Sequence, residues 1–333
     1  MLVSSLCVFL HIQILTKMEK TIRIVCSSLL LLLIIACSTK NKEQIIVFHA
    51  GSLAVPFKQM KEEYEKQNPE VEILLEAAGS VDCARKITDL KKDCDIMASA
   101  DYTIIDDFLI PNYANWNILF AGNEMCIVYT DKSAYAEKIN AENWTSIMLR
   151  ENVRYARSNP DADPCGYKTV IVSKLAETYY QQSEFSKQLL EKDQEYIRPK
   201  EVDLIALLES RTVDYIFLYR SVAEQHKLNY LLLPDAINLK NPALNADYAK
   251  AEVDIRGKKP GEYLTKKGQS MTYGICLLDK APNKSAAENF LAFIFSEEGK
   301  KIMENNGQSS LIPSPTSTYH AIPEKFKKFA KEK

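Results

Sequence analysis

Gln44-Ile45-Ile46-Val47-Phe48-His49-Ala50-Gly51-Ser52-Leu53 decides the architecture of this chain. Up to Ala50 it is the near-continuous apolar run of a strand covered on both faces. Gly51-Ser52 then turns into residues 53–67, where Leu53, Phe57, Met60 and Tyr64 recur at helical spacing. The pattern repeats: Val71-Glu72-Ile73-Leu74-Leu75-Glu76 reads as a second strand, and Ala78-Gly79-Ser80 leads into a helical stretch over 81–90. Residues 94–99 read as a third strand. Strands alternating with amphipathic helices predict an α/β fold with a parallel sheet and right-handed crossovers. Ligands gather at the carboxyl ends of such strands, where Gly51-Ser52 and Gly79-Ser80 both stand. A serine there is also an ordinary helix N-cap.

Working outward, Glu124-Met125-Cys126-Ile127-Val128-Tyr129 reads as a strand leaving this first lobe. A second series follows, with strands at 152–157, 213–219 and 228–233 and helices at 167–182 and 201–210. Residues 240–268 are polar and read as an irregular surface excursion. The strand 269–278 carries the chain back, and 283–305 has the helical spacing to pack again on the first lobe. The expected organisation is one lobe from 44–124 and 272–330 and another from 125–271, joined by paired crossing strands.

Before Gln44 the sequence reads as an export signal. A short basic region holding Lys17, Lys20 and Arg23 precedes the apolar run 24–36, too short for a comfortable membrane span. The run ends in Ile34-Ile35-Ala36-Cys37, which resembles a bacterial lipobox; 1–36 is then a lipoprotein signal peptide, Cys37 the lipid attachment site and 37–43 a tether. Met18 is an alternative start. The expected location is extracytoplasmic, on a membrane. Without that leader 39 basic residues face 43 acidic ones, so nothing favours a nucleic-acid partner. Beyond Cys37 five cysteines remain, in a setting that allows disulfides, and Cys83 with Cys94 is the first pair to test. His11, His49, His226 and His320 are too scattered for a histidine metal site.

Between the strand at 152–157 and its helix lies Ser158-Asn159-Pro160-Asp161-Ala162-Asp163-Pro164-Cys165-Gly166-Tyr167-Lys168. Pro and Gly suit a helix opening whose free N–H groups face outward, a natural anion cradle. Asp163 stands where an anion would go.

These features together resemble the molybdate/tungstate-binding proteins of the WtpA type, extracytoplasmic receptors of ABC importers. The likeness is carried by His49-Ala50-Gly51-Ser52-Leu53, Ala78-Gly79-Ser80, Ala98-Ser99-Ala100-Asp101-Tyr102, Asp163-Pro164-Cys165-Gly166-Tyr167, Leu207-Leu208-Glu209-Ser210, Asp214-Tyr215 and Tyr219-Arg220-Ser221-Val222-Ala223. It implies a two-lobed, type II periplasmic-binding-protein-like α/β fold. It also implies that Asp163 and a second-lobe Glu, matched here to Glu201 ahead of Asp203 and Glu209, reach the Mo or W centre of a bound oxoanion. Gly51, Ser52, Ser80, Pro164, Cys165 and Tyr219 would hold the oxo groups with neutral donors. The implied protein is a monomer with no cofactor and no catalytic residues. Its partners would be tungstate or molybdate, a permease with its ATPase, and the membrane through the lipid. Hard, electron-poor metal centres accept carboxylate oxygen. Sulfate and phosphate would be pushed away by the same charges. The competing expectations are a sulfate, phosphate or ferric-ion receptor of the same fold, or a secreted hydrolase using Cys165 with His226 and Asp163.

Overall fold

The computed structural model describes residues 18, 20–23, 42–259 and 261–333. Residues 18 and 20–23 are helical. The apolar run 24–36, Cys37 and residues 38–41 lie outside the described residues. Among the described residues no helix is long and apolar enough to cross a membrane.

Residues 43–333 form one compact unit around two sheets. In the first, β1 (Glu43–Ala50) pairs in parallel with β2 (Val71–Ala78) and β3 (Ile96–Ser99). Beyond β3 the sheet continues through β11 (Thr272–Leu277), β4 (Ile118–Gly122) and β12 (Ser309–Ser310), each joined antiparallel. The parallel sheet expected from the sequence is therefore mixed: β11 and β12 run against β1 to β3, while β4, antiparallel to both, runs with them. The second sheet has the order β6 (Tyr155–Ala156), β7 (Tyr215–Tyr219), β5 (Met125–Tyr129), β8 (Asn229–Leu232). There β6 and β7 are parallel, while β5 is antiparallel to both β7 and β8.

Burial explains the elements. In β1 the four residues Val47 to Ala50 are all closed to solvent, as an apolar strand with helices nearby requires. Helix Ala54–Gln67 sets Tyr64 edge-on to Phe290 and Phe293, at 5.1 and 5.4 Å between ring centres. Those two rings come from helix Lys284–Ile294, which does join the first sheet's side. The single helix expected over 283–305 is two, since Ser296 caps a second one, Glu297–Asn305, by accepting from Gly299 N–H. Around the second sheet, Trp144 meets Phe185 and Phe217 edge-on. The polar excursion is also more ordered than its composition suggests. It holds an antiparallel hairpin of β9 (Glu252–Arg256) and β10 (Tyr263–Lys267).

The chain passes between the sheets at Asn123-Glu124. Three segments lie side by side there: Met125 N–H donates to Asn238 C=O at 2.9 Å and Met271 N–H to Leu239 C=O at 2.8 Å. The expected disulfide is absent, and Cys83, Cys94, Cys126, Cys165 and Cys276 are all free and buried. Cys83 sits within helix Ser80–Thr88 and its thiol turns to His49 C=O, whereas the Cys94 thiol turns to Ile96 C=O. Each thiol is therefore committed to a backbone carbonyl of its own.

Candidate functional site

Register brings the first two elements of the site together. Ala50 of β1 pairs with Ala78 of β2, so Gly51-Ser52 and Gly79-Ser80 leave the sheet side by side. Ser52 opens into a short 3-10 turn and Ser80 begins helix Ser80–Thr88. Both serines are wholly buried. Neither acts as a side-chain cap: the Ser80 hydroxyl accepts Ala100 N–H at 3.0 Å, and that of Ser52 accepts the Tyr273 hydroxyl at 2.9 Å.

The second sheet's side meets them without a gap. A methyl group on Gly79 would lie 2.2 Å from Ala162 C=O, and one on Gly51 would lie 2.8 Å from Glu201 Oε2. These two glycines are therefore close-approach positions, needed for space. Asp82 N–H donates to Ala162 C=O at 3.2 Å across the same seam.

At this seam two carboxyl groups are wholly buried. Asp163 precedes helix Pro164–Tyr179 in extended backbone, with Pro164 in its first turn, yet its side chain makes no capping bond. Neither of its oxygens has a hydrogen-bond partner. Glu201 accepts Ser52 N–H at 2.6 Å through Oε1 and leaves Oε2 without a partner. By contrast Asp203 pairs with Lys200 at the surface and Glu209 is exposed. The Tyr219 hydroxyl, at the end of β7, is wholly buried and unpartnered, as is that of Ser158. Eight buried side-chain polar atoms lack a partner among the described residues, and five belong to Ser158, Asp163, Glu201 and Tyr219. Native interiors seldom leave such atoms unsatisfied, so their concentration at one place marks a site built for something else to bind.

The electrostatics agree. Burial pushes the Asp163 carboxyl well above its ordinary value, and the Glu201 charge adds to the rise. Burial raises Glu201 as well, against the pull of Ser52. Among the described residues no cation pairs with either group. Such a pair, with hydroxyl donors around it, suits a ligand that is electron-poor at its centre and accepts hydrogen bonds at its rim. Among the described residues no set of three or more His, Cys, Asp or Glu side chains could hold a bare metal ion.

Cys165 is buried, its thiol turned to Phe217 C=O at 3.6 Å and raised far above the usual range by burial and then by the two carboxyl groups. His226 is exposed, just past helix Arg220–Gln225, so the Cys165–His226 pairing a hydrolase would need does not form. Of the turn's expected donors, Gly166 N–H is taken by Asp163 C=O, which withdraws it from any ligand.

The sequence did not single out several residues found here. Gln308 donates to Ser52 C=O at 2.8 Å, and Asn123 donates to the Tyr273 hydroxyl at 2.9 Å. Ser158, Asp101 and Lys168 lay inside quoted stretches, but nothing in their spacing shows that they are buried.

Comparison with known proteins fits this geometry. The model of a family described as bacterial extracellular solute-binding protein matches residues 45–308. An uncharacterized solute-binding protein of Petrotoga mobilis is 46% identical over 289 residues, which cover 86% of this chain and 90% of that protein. The molybdate/tungstate-binding protein WtpA of Pyrococcus abyssi is 40% identical over 311 residues, covering 85% of this chain and 89% of that one. The periplasmic molybdate-binding protein of Azotobacter vinelandii has the same fold, with a TM-score of 0.56 at 14% identity over 79% of this chain and 98% of that one.

Proposed function

This chain belongs to the bacterial extracellular solute-binding proteins, and on that premise we propose that it captures tungstate or molybdate at the seam between its two sheets. The fold is the type II periplasmic-binding-protein-like one, and the protein is an extracytoplasmic solute-binding component of a transporter rather than an enzyme. Its ligand is an oxoanion and not a cofactor. Asp163 and Glu201 each give an oxygen to the Mo or W centre. Ser52, Ser80 and Tyr219 hydroxyls, with the backbone at Gly51 and Pro164-Cys165, hold the oxo groups. The observation that carries this reading is the pair of buried carboxyl groups with three unpartnered oxygens and no cation. A metal centre able to take extra oxygen donors satisfies them, and a sulfate or phosphate oxygen is repelled.

The rest of the reading concerns delivery. Residues 44–124 with 272–330 and residues 125–271 act as two lobes that hinge at the crossing strands near Asn123 and Met271, close on the oxoanion, and dock as a monomer on an ABC permease driven by its ATPase. The chain is exported, cleaved after residue 36 and held to the membrane by lipid on Cys37.

Calorimetric titration of the chain with tungstate, molybdate, sulfate and phosphate tests the ligand. Asp163→Ala or Glu201→Ala is expected to weaken tungstate binding by about a hundredfold, roughly 2.8 kcal/mol. Tungstate binding unchanged in both variants, or a preference for sulfate in the parent, refutes it.

A further inference from the structure

The Ser52 hydroxyl is one end of a hydrogen-bond chain whose direction is fixed far from the ligand. Asn123, at the crossing between the sheets, accepts Glu124 N–H through Oδ1 at 2.9 Å. A backbone N–H can only donate, so the amide has one orientation, with Nδ2 facing Ser221 Oγ at 2.7 Å and the Tyr273 hydroxyl at 2.9 Å. The Tyr273 oxygen thus receives a hydrogen, and its own O–H is left to donate to Ser52 Oγ at 2.9 Å. Ser52 Oγ is then an acceptor on its Tyr273 side. Its hydrogen is turned to the other side, where Glu201 lies.

We infer that Tyr273, oriented by Asn123, is a positioning residue that fixes the Ser52 hydroxyl as a donor into the cavity of Asp163 and Glu201. The inference rests on the reading of that cavity as the oxoanion site. Ser80 provides an independent parallel, because Ala100 N–H occupies its oxygen in the same way and leaves its hydrogen free. At Ser52 a tyrosine side chain takes the place of that backbone donor, and Ser52 N–H is bonded to Glu201. All members of the chain are closed to solvent: Ser52, Tyr273 and Ser221 are wholly buried and Asn123 nearly so. Water therefore has no access from which to reverse its direction. An acceptor-only oxoanion gains from a hydroxyl with a single fixed role, because a hydroxyl free to turn must first be oriented at binding.

The test is a double-mutant cycle on the full chain, read by tungstate titration, with thermal melting of each ligand-free variant as the check on folding. Tyr273→Phe keeps the ring and removes only the hydroxyl, and Asn123 retains Ser221 as a partner. Tyr273→Phe is expected to weaken tungstate binding about three- to tenfold. In the Ser52→Ala background the same substitution is expected to have no further effect. If Tyr273→Phe binds as the parent does, or weakens binding by the same factor with and without Ser52, the inference is overturned. Should Tyr273→Phe melt abnormally, Asn123→Asp replaces it: a carboxylate has no hydrogen to give, so it draws the Tyr273 hydrogen to itself and should show the same dependence on Ser52. A parent chain that takes up neither tungstate nor molybdate overturns the site reading itself, an outcome separate from a cycle that fails in a tungstate-binding parent.

Discussion

Lys168 and Asp101 form a 2.8 Å ion pair closed to solvent, and they come from opposite sides of the seam. Asp101 follows β3 of the first sheet, while Lys168 stands in the Pro164–Tyr179 helix beside the second. The Tyr167 hydroxyl donates to the same Asp101 oxygen at 2.8 Å, and the other oxygen accepts Thr103 N–H and its hydroxyl. Burial alone would raise the Asp101 carboxyl, but the charges of Lys168 and Lys266 outweigh it and hold it well below the usual range. Asp101→Ala is expected to destabilise the chain by about 3–5 kcal/mol in urea unfolding, because it leaves Lys168 buried and unpaired. Replacing both by apolar residues, as in Asp101→Leu with Lys168→Met, should recover much of that loss.

The same pair sets a direction with pH. A carboxyl held low in the folded state contributes stability that is present above its unfolded value, near the ordinary 3.8, and is lost as pH falls through the folded value. His49 acts in the same sense: burial lowers it from 6.5 to about 4, so its contribution fades between those values. Acid titration of parent and His49→Gln, followed by tyrosine fluorescence, should show the parent losing stability relative to the variant as pH falls from about 6.5 to about 4.

Asp163 and Glu201 pull the other way. Their folded values are raised above the ordinary 3.8 and 4.5, so their protonated forms favour folding at low pH and that contribution is lost as pH rises through the raised values. Asp163→Asn removes the unanswered charge. At neutral pH it is expected to stabilise the ligand-free chain by about 0.5–2 kcal/mol while abolishing the shift in Tm that tungstate gives the parent.

Protons should leave as the oxoanion arrives, since a carboxyl oxygen must be free to reach the metal. Calorimetry in buffers of different ionisation enthalpy should therefore show proton release on tungstate binding, growing as pH is lowered towards the ordinary carboxylate range. Tungstate affinity should fall in step. A binding heat independent of buffer would count against the carboxylate scheme.

Gly79→Ala tests the seam without removing any polar group. Gly79 has φ −58° and ψ 141°, a conformation open to any residue, so the variant is expected to fold as the parent does. The added methyl meets Ala162 C=O at 2.2 Å, a backbone atom that cannot turn aside. The two sides must then separate, and tungstate affinity should drop by at least about tenfold. Small-angle scattering of the liganded variant should match a more open shape than that of the parent.

The first sheet was legible because β1 to β3 carry their own punctuation: an apolar run, a Gly-Ser turn and a helix with regular spacing. What the pattern could not show was direction, since β11 looks like any other apolar strand and only the crossing topology turns it against β1 to β3. At the site, Asp163 and Glu201 stand 38 positions apart in sequence. Only the likeness to a known family joined them before the structure placed both, buried, at one seam. Asn123 and Gln308 carried no signal, because a lone polar residue beside a strand is commonplace. Their roles come from a Glu124 N–H and a Ser52 carbonyl that tertiary packing brings within reach. The Cys83–Cys94 expectation failed for a related reason, since spacing along the chain says nothing of which carbonyl each thiol will face.

The five free thiols leave the compact unit without a covalent staple among its described cysteines, and burial raises every one of them above its ordinary value. Thiols so shielded are poor nucleophiles and slow to oxidise. Residues 43–333 are thereby indifferent to the redox state of their surroundings: among these five thiols a reductant has nothing to cut and an oxidase nothing within reach to join. Maturation outside the cytoplasm asks only for a chain that folds by packing, in air or without it.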